Sequence, residues 1–447
     1  MSRRKRAGGG VSFGTILMLT LMALVLIGFC AVVPKFTGNA DIRINAAELA
    51  VAVDQSLSQI AASNIVISLP QNTPLPAESV AITTDAPAAQ STQAVQTATP
   101  QPSYRFSLRA AGSLILNTDM YSALTYDGAY RFDTLFDSAL VSALQSDLTI
   151  ATLESLVMPS AGVSNRNAPA ELLSAMRAAG INALSIGYPN VLRSGVSGVS
   201  ETKAAISAAG LTPYGAYASQ QERETLTYVN AGGVTVALLA YQSTLSSASR
   251  EATTEAERAY ATLTPEIETI AADIARARAA GAMVVLVSLC WGDTGATSPS
   301  SEQVELAQAM ADAGADIILG THPGVLQTVE VLSANRGDGK YHPVLCAYSL
   351  GNLVTYDREK RANLASILLN AEVVYDAATG QVAFDELSYT PTYAWRGWED
   401  GYRRYRILVN DGVNYPAYVG EDQQGVMERC LTLVTSVMEA SPIPSGV

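Results

Sequence analysis

The segment Gly320-Thr321-His322-Pro323-Gly324 holds one of only two histidines in 447 residues. It follows the apolar run 315–319, which places the ring where a strand would hand over to a loop. Imidazole can ligate a divalent metal or accept a proton from a nucleophile. Other chemistry-bearing residues sit at comparable ends of apolar runs: Glu154 after 148–153, Cys290-Trp291-Gly292 after 283–289, and Asn352 in Tyr348-Ser349-Leu350-Gly351-Asn352-Leu353. A carboxylate and an imidazole could share one weakly held divalent ion through Glu154 and His322. A thiol beside that ring would form a Cys290–His322 nucleophilic pair oriented by Glu154.

Each of these residues also has a plainer role. Glu154 can accept backbone N–H groups at a strand end, and His322 can steady the Pro323 turn. Residues 349–352 read as a tight turn holding a cleft wall. Trp291 either floors a sugar or peptide pocket or packs in the core. His342, next to Pro343 in a Gly/Asp/Lys turn, is expected to face solvent. Cys346 and Cys430 read as buried small hydrophobes. With Cys30 and Cys290 they make four cysteines without a zinc-like spacing or a disulfide framework.

The elements that must position these residues occupy only part of the chain. Arg3, Arg4, Lys5 and Arg6 precede 11–33, a run without a charged residue. At about 1.5 Å per residue such a run spans a hydrocarbon core of roughly 30 Å. Basic residues stay on the cytoplasmic side, so the rest of the chain is expected outside the cytoplasm. The competing reading is a cleaved signal peptide, but the run exceeds a signal core of about 7–15 residues and no clear small-x-small site follows. The expected organisation is a basic tail at 1–10, a transmembrane helix at 11–33 and a juxtamembrane helical segment at 34–68. A disordered linker rich in Pro, Ala, Thr and Gln follows at 69–103, then a folded domain at 104–440. The net charge of −13 argues against nucleic acid as a partner.

Within the domain, strands are expected at 104–116, 148–153, 181–186, 234–241, 283–291 and 317–319. Helices are expected at 132–144, 169–179, 198–209, 265–280 and 302–313, most of them closed by glycine. This alternation implies helices on the faces of a sheet with right-handed crossovers. Beyond Gly320, four consecutive strands at 325–332, 344–349, 364–375 and 382–389 suggest that antiparallel β follows the α/β part, with two stacked sheets.

Several segments, in order, carry a family resemblance. They are Leu148-Thr149-Ile150-Ala151-Thr152-Leu153-Glu154, the helix-strand pair at 173–185, Ser288-Leu289-Cys290-Trp291-Gly292, Gly320-Thr321-His322-Pro323-Gly324 with its preceding helix, Tyr348-Ser349-Leu350-Gly351-Asn352-Leu353, and Tyr389-Thr390-Pro391-Thr392-Tyr393. Together they resemble the CapA family of capsule and poly-γ-glutamate synthesis proteins, related to calcineurin-like metallophosphatases. The resemblance implies a four-layer α/β/β/α sandwich whose strand-end loops converge on a two-metal cleft. The chain departs from that pattern where the metals would be held. Ser113 replaces the Asp that ends the first strand. Asn190 and Cys290 replace histidines, Gly324 replaces the last histidine of a Gly-x-His-Pro-His motif, and Arg193 occupies a nearby acidic position. Glu154, His322 and Asn352 remain, with Trp291 in the same cleft.

The resulting expectation is a membrane-anchored, extracytoplasmic protein of envelope-polymer synthesis, export or attachment. It would act as a binding or scaffold subunit, partnered by the polymer or its machinery, without a cofactor beyond one weakly bound divalent ion. Two alternatives stand beside it. One is an active hydrolase with a rebuilt site, using either a single metal on Glu154 and His322 or Cys290 as nucleophile. The other is a structural adaptor that pairs through its membrane-proximal segment.

Overall fold

Strand and helix alternate from the first described residue. The computed structural model describes residues 103–446. The basic tail, the transmembrane run, the juxtamembrane helix and nearly all of the linker therefore lie outside the described residues. Among the described residues, no helix is long and apolar enough to cross a membrane.

The strands, in chain order, are β1 (Ser103–Ile115), β2 (Thr125–Tyr126), β3 (Ala129–Tyr130), β4 (Leu148–Leu153), β5 (Ala183–Ser185), β6 (Thr212–Tyr214), β7 (Thr227–Ala231) and β8 (Val234–Gln242). They continue as β9 (Val284–Cys290), β10 (Ile317–Thr321), β11 (Val329–Ala334), β12 (His342–Ala347), β13 (Asn352–Thr355), β14 (Ala365–Asp376), β15 (Gln381–Glu399) and β16 (Tyr402–Val409). One sheet of eight strands runs β16-β15-β14-β1-β4-β5-β6, with β13 added beside β1. A second sheet of six runs β11-β12-β10-β9-β8-β7. Both are mixed: in the first, β1, β4, β5 and β6 pair in parallel and β14 to β16 antiparallel, and in the second, β8, β9, β10 and β12 pair in parallel while the edge strands β7 and β11 pair antiparallel.

Period-two burial explains the layers. Ile150, Leu184, Leu238, Leu286, Leu319 and Leu345 join one large apolar core shared by both sheets. Their neighbours Leu239, Val287, Ile318 and Cys346 point the other way. There they meet Ile270 and Ile274 of helix Ile267–Ala279 and Ala307 and Met310 of helix Ser301–Ala313. The second helix starts with a capping box, in which Ser300 accepts from the N–H of Gln303 and Gln303 reaches back. The chain is thus an α/β fold built on two mixed sheets.

Three expectations need correction. The helix expected over 132–144 is broken into a 3₁₀ turn at Phe132–Leu135 and a helix at Ser138–Leu144. Asp137 causes the break: its backbone is extended, its side chain caps the N–H of Ala139, and its own N–H donates to the Ile407 carbonyl of β16. The late strands pair antiparallel only in part, β11 with β12 and β14 with β15. Strand β12 inserts beside β10 and β13 beside β1, both in parallel, so the segment after Gly320 is divided between the two sheets. Apolar runs such as Val344–Ala347 encode a buried strand without naming its neighbour. His342 does not face solvent; it is 8% exposed and its Nε2 lies 2.9 Å from Asp338.

Candidate functional site

The ends of β1, β4 and β13 meet at one place. Ser113 pairs in register with Thr152 and with Asn352, and its N–H donates to the Gly351 carbonyl at 3.1 Å. The N–H of Glu154 donates to the Leu114 carbonyl, which fixes the carboxyl beside Ser113. Burial pushes the Glu154 carboxyl up from its ordinary value, with the Ser113 hydroxyl and the Arg166 charge countering in part. Asn352 donates Nδ2 to the Gly324 carbonyl at 2.8 Å, while its buried Oδ1 has no partner among the described residues. The sequence brings these residues together through the crossing of β1 between β4 and β13.

The end of β10 contributes the opposite wall. The backbone N–H of Trp291 donates to the Thr321 carbonyl, and its indole Nε1 to the Tyr348 carbonyl at 2.8 Å. Trp291 is 2% exposed and stacks on Tyr348, so it packs in the core and floors no pocket. Gly320 is required here, since a Cβ would stand 1.9 Å from the Tyr348 carbonyl oxygen. His322 follows with a φ of 97°, a strained value for a residue other than glycine. Its half-buried ring makes no hydrogen bond to another described residue. Burial lowers its pKa and favours the neutral form, against a small opposing pull from Asp293. Gly324 turns the loop with a φ of 71°.

Cys290 ends β9, buried, and its thiol is held well above the ordinary thiol range by burial and by the nearby Glu154 carboxyl. Nucleophilic cysteines need the reverse, a lowered pKa and a cationic neighbour. Asn190 is half-buried in the loop after β5, where its carbonyl accepts the N–H of Arg193, and Arg193 is exposed. Two further residues belong to the site. Arg166 acts electrostatically on both Glu154 and Tyr188. The Tyr188 hydroxyl is buried without a partner among the described residues, and burial together with Glu154 drives its pKa far upward. Arg166 lies in a Ser-Asn-Arg-Asn loop with no periodicity or motif to mark it.

Residues 107–357 match the family described as bacterial capsule synthesis protein PGA_cap. The chain belongs to this family. It is 30% identical over 191 residues to the capsule biosynthesis protein CapA of Bacillus anthracis, covering 42% of this chain and 43% of that protein. It is 32% identical over 161 residues to the PGA biosynthesis protein CapA of Bacillus subtilis (strain 168), covering 36% and 39%. The matches thus span about two-fifths of each relative. Among solved structures it is similar to the calcineurin-like phosphoesterase YfkN from Bacillus subtilis, with a TM-score of 0.36 and 12% identity over 75% of this chain and 99% of that one.

The donors present do not fit the paired metals of a phosphoesterase-like cleft. A two-metal centre needs carboxylates and neutral imidazoles gathered from several strand ends. Here Ser113, Asn190, Cys290 and Gly324 offer a hydroxyl, an amide, a thiol and no side chain, and only Glu154 and His322 remain as a carboxylate and an imidazole. Among the described residues no three His, Cys, Asp or Glu side chains come together as a metal-holding group.

Proposed function

We propose that this chain is a non-catalytic binding or scaffold subunit in the synthesis, export or attachment of an anionic envelope polymer. Membership of the capsule synthesis family supports the process. The observation that carries the non-catalytic part is the corner formed by Ser113, Glu154 and Cys290. There a hydroxyl and a thiol stand where the family pattern calls for an acid and an imidazole, which leaves Glu154 as the one carboxyl of the corner. Gripping paired cations takes several carboxylates and imidazoles, and of these Glu154 and His322 remain.

Anchoring forms part of the same proposal. The uncharged run at 11–33 behind Arg3–Arg6 supports a single-pass, N-in arrangement with the 103–446 domain outside the cytoplasm. Protease accessibility of the intact chain in spheroplasts tests it; protection of the large domain would count against it.

Metal analysis of the purified full chain tests the main claim. Less than half an equivalent of manganese, zinc or iron after dialysis, and no hydrolysis of a chromogenic phosphodiester, is the expected result. Two tightly held equivalents with turnover would reject the proposal.

A further inference from the structure

Strand β15 outruns β14. Beyond Tyr393 it pairs with β16 alone, and that pairing ends with Glu399 opposite Tyr402, at the turn through Asp400 and Gly401. Directly opposed residues share a face of such a ribbon, and the face alternates along each strand. One face therefore carries Arg396 with Tyr405 and Trp398 with Arg403, and the other carries Gly397 with Arg404 and Glu399 with Tyr402. This register sorts the charge. Glu399 is bound on the second face by Arg406 at 2.6 Å, and Arg404 stacks there against Tyr126 and Tyr402. The first face of the ribbon keeps Arg396 and Arg403 and holds no carboxylate.

A third guanidinium extends the line. Arg358, half-buried, donates Nη1 to the Ala394 carbonyl at 2.8 Å, two residues before Arg396. Burial lowers its pKa, Tyr393 and Tyr405 oppose this, and Arg396 adds to it, so the fixed charge acting most on Arg358 is of like sign. Asp357 and Glu359 flank it in sequence, but both are exposed and neither forms an ion pair with it among the described residues. Burial raises the Cys430 thiol to about 11, and Arg361, Arg358 and Arg429 pull it back, which brings two more guanidiniums to this end. Among the described residues no side-chain hydrogen bond or ion pair engages Arg361, Arg396, Arg403 or Arg429. Trp398 shares their face, 66% exposed, with the Arg403 guanidinium 5.2 Å from its ring centre. The other two tryptophans of the chain, Trp291 and Trp395, are buried. An indole left in water beside unpaired arginines is the composition of a contact surface.

We propose that this face docks a linear polyanion, laid along β15 with successive acidic groups at Arg358, Arg396 and Arg403. Arg358 sits by position 394 and Arg403 opposite position 398, so the three charges recur every second residue, roughly 7 Å apart. A row of charges suits a repeating chain better than one compact anion, and Trp398 covers the uncharged links between acidic groups. In a molecule of net charge −13, a ribbon face without carboxylates is where a polyanion meets least repulsion. The inference rests on the anionic polymer of the reading above and on nothing in the cleft.

Fluorescence anisotropy of labelled poly-L-glutamate, and separately of labelled polyphosphate, titrated with the purified full chain tests the proposal. Saturable binding of at least one polymer is expected, with a shift in tryptophan emission that Trp398→Phe removes. The double variant Arg396→Glu/Arg403→Glu should bind at least tenfold more weakly with an unchanged thermal midpoint, since both side chains are exposed. Arg250→Glu, a charge-matched change at an exposed position elsewhere, should bind as the parent does. Response to poly-L-glutamate alone assigns a polycarboxylate, and response to polyphosphate alone a polyphosphate-like chain. Free glutamate competing as well as the polymer at equal carboxylate concentration would overturn the linear geometry. Binding that the double variant leaves intact overturns this face and leaves the polymer reading standing, whereas no binding of either polymer overturns both. Tight metal with turnover would reject the non-catalytic reading without touching this face.

Discussion

Asn352 holds the Gly324 carbonyl at 2.8 Å, and through it joins the start of β13 to the loop that leaves β10. The two strands belong to different sheets. One amide therefore ties the sheets together at their functional edge. Replacing Asn352 by Asp puts a buried carboxylate against that carbonyl. A loss of about 2–3 kcal/mol at neutral pH is expected, from the broken bond and the unpaired charge. Urea unfolding should show the deficit shrinking on acidification, as the carboxyl protonates and can donate again. A pH-independent deficit would mean that charge at this junction is irrelevant.

Glu154 gives a second, oppositely constructed pH effect. Burial raises its pKa in the folded chain above the ordinary 4.5. Below that ordinary value the carboxyl is protonated in both states and imposes no linkage. As pH rises past it, the unfolded chain ionises first, and native stability falls until the folded carboxyl ionises too. The slope can reach about 1.4 kcal/mol per pH unit. Glu154→Gln removes the titration. It should match the parent in stability at pH 4 and exceed it increasingly at higher pH, measured by urea midpoints. Equal stability of the two proteins from pH 4 to 8 would show that the carboxyl is solvated.

His322 carries a backbone cost. Its φ of 97° suits glycine, and a non-glycine residue there gives up on the order of 1 kcal/mol. His322→Gly should therefore be no less stable than the parent despite losing a half-buried ring, whereas His322→Val should lose about 2 kcal/mol or more. Thermal unfolding of both variants checks this. If the glycine variant melted well below the parent, the ring would be contributing packing or bonding that outweighs the backbone strain.

Much of this fold could be read from the chain, and the reasons are local. The run Val284–Cys290 is buried at every position, and the helix Ser301–Ala313 begins at a capping box and ends at Gly314. Both signals lie within a few residues. The break at Asp137 was not legible, because its backbone partner is Ile407, far along the chain. The neighbours of β12 and β13 were hidden for the same reason. Within the site, Ser113, Glu154 and Cys290 could be picked out from strand ends and motif order. Arg166 could not, since only the folded loop brings its charge near Glu154 and Tyr188.

Rebuilding the cleft is the sharpest test of the coordination argument. Gly324→His alone returns one imidazole, but at a φ of 71° and with its Cβ 3.4 Å from Asn352 Nδ2. Beside Glu154 and His322, its prospective partners would still be a hydroxyl, a thiol and an amide. The single variant should thus hold no more manganese than the parent and be somewhat less stable. Combining it with Ser113→Asp, Asn190→His and Cys290→His supplies an acid and three imidazoles to the same loop tips. That protein should retain manganese through dialysis and gain thermal stability when the metal is added, because binding to the native state alone shifts the unfolding equilibrium. Metal content and melting temperature with and without manganese give the answer. Retention by the single variant would show that the remaining donors already suffice. Failure of a folded fourfold variant to bind would place the obstacle in the geometry of the strand ends, and the identity of the side chains would no longer explain the loss.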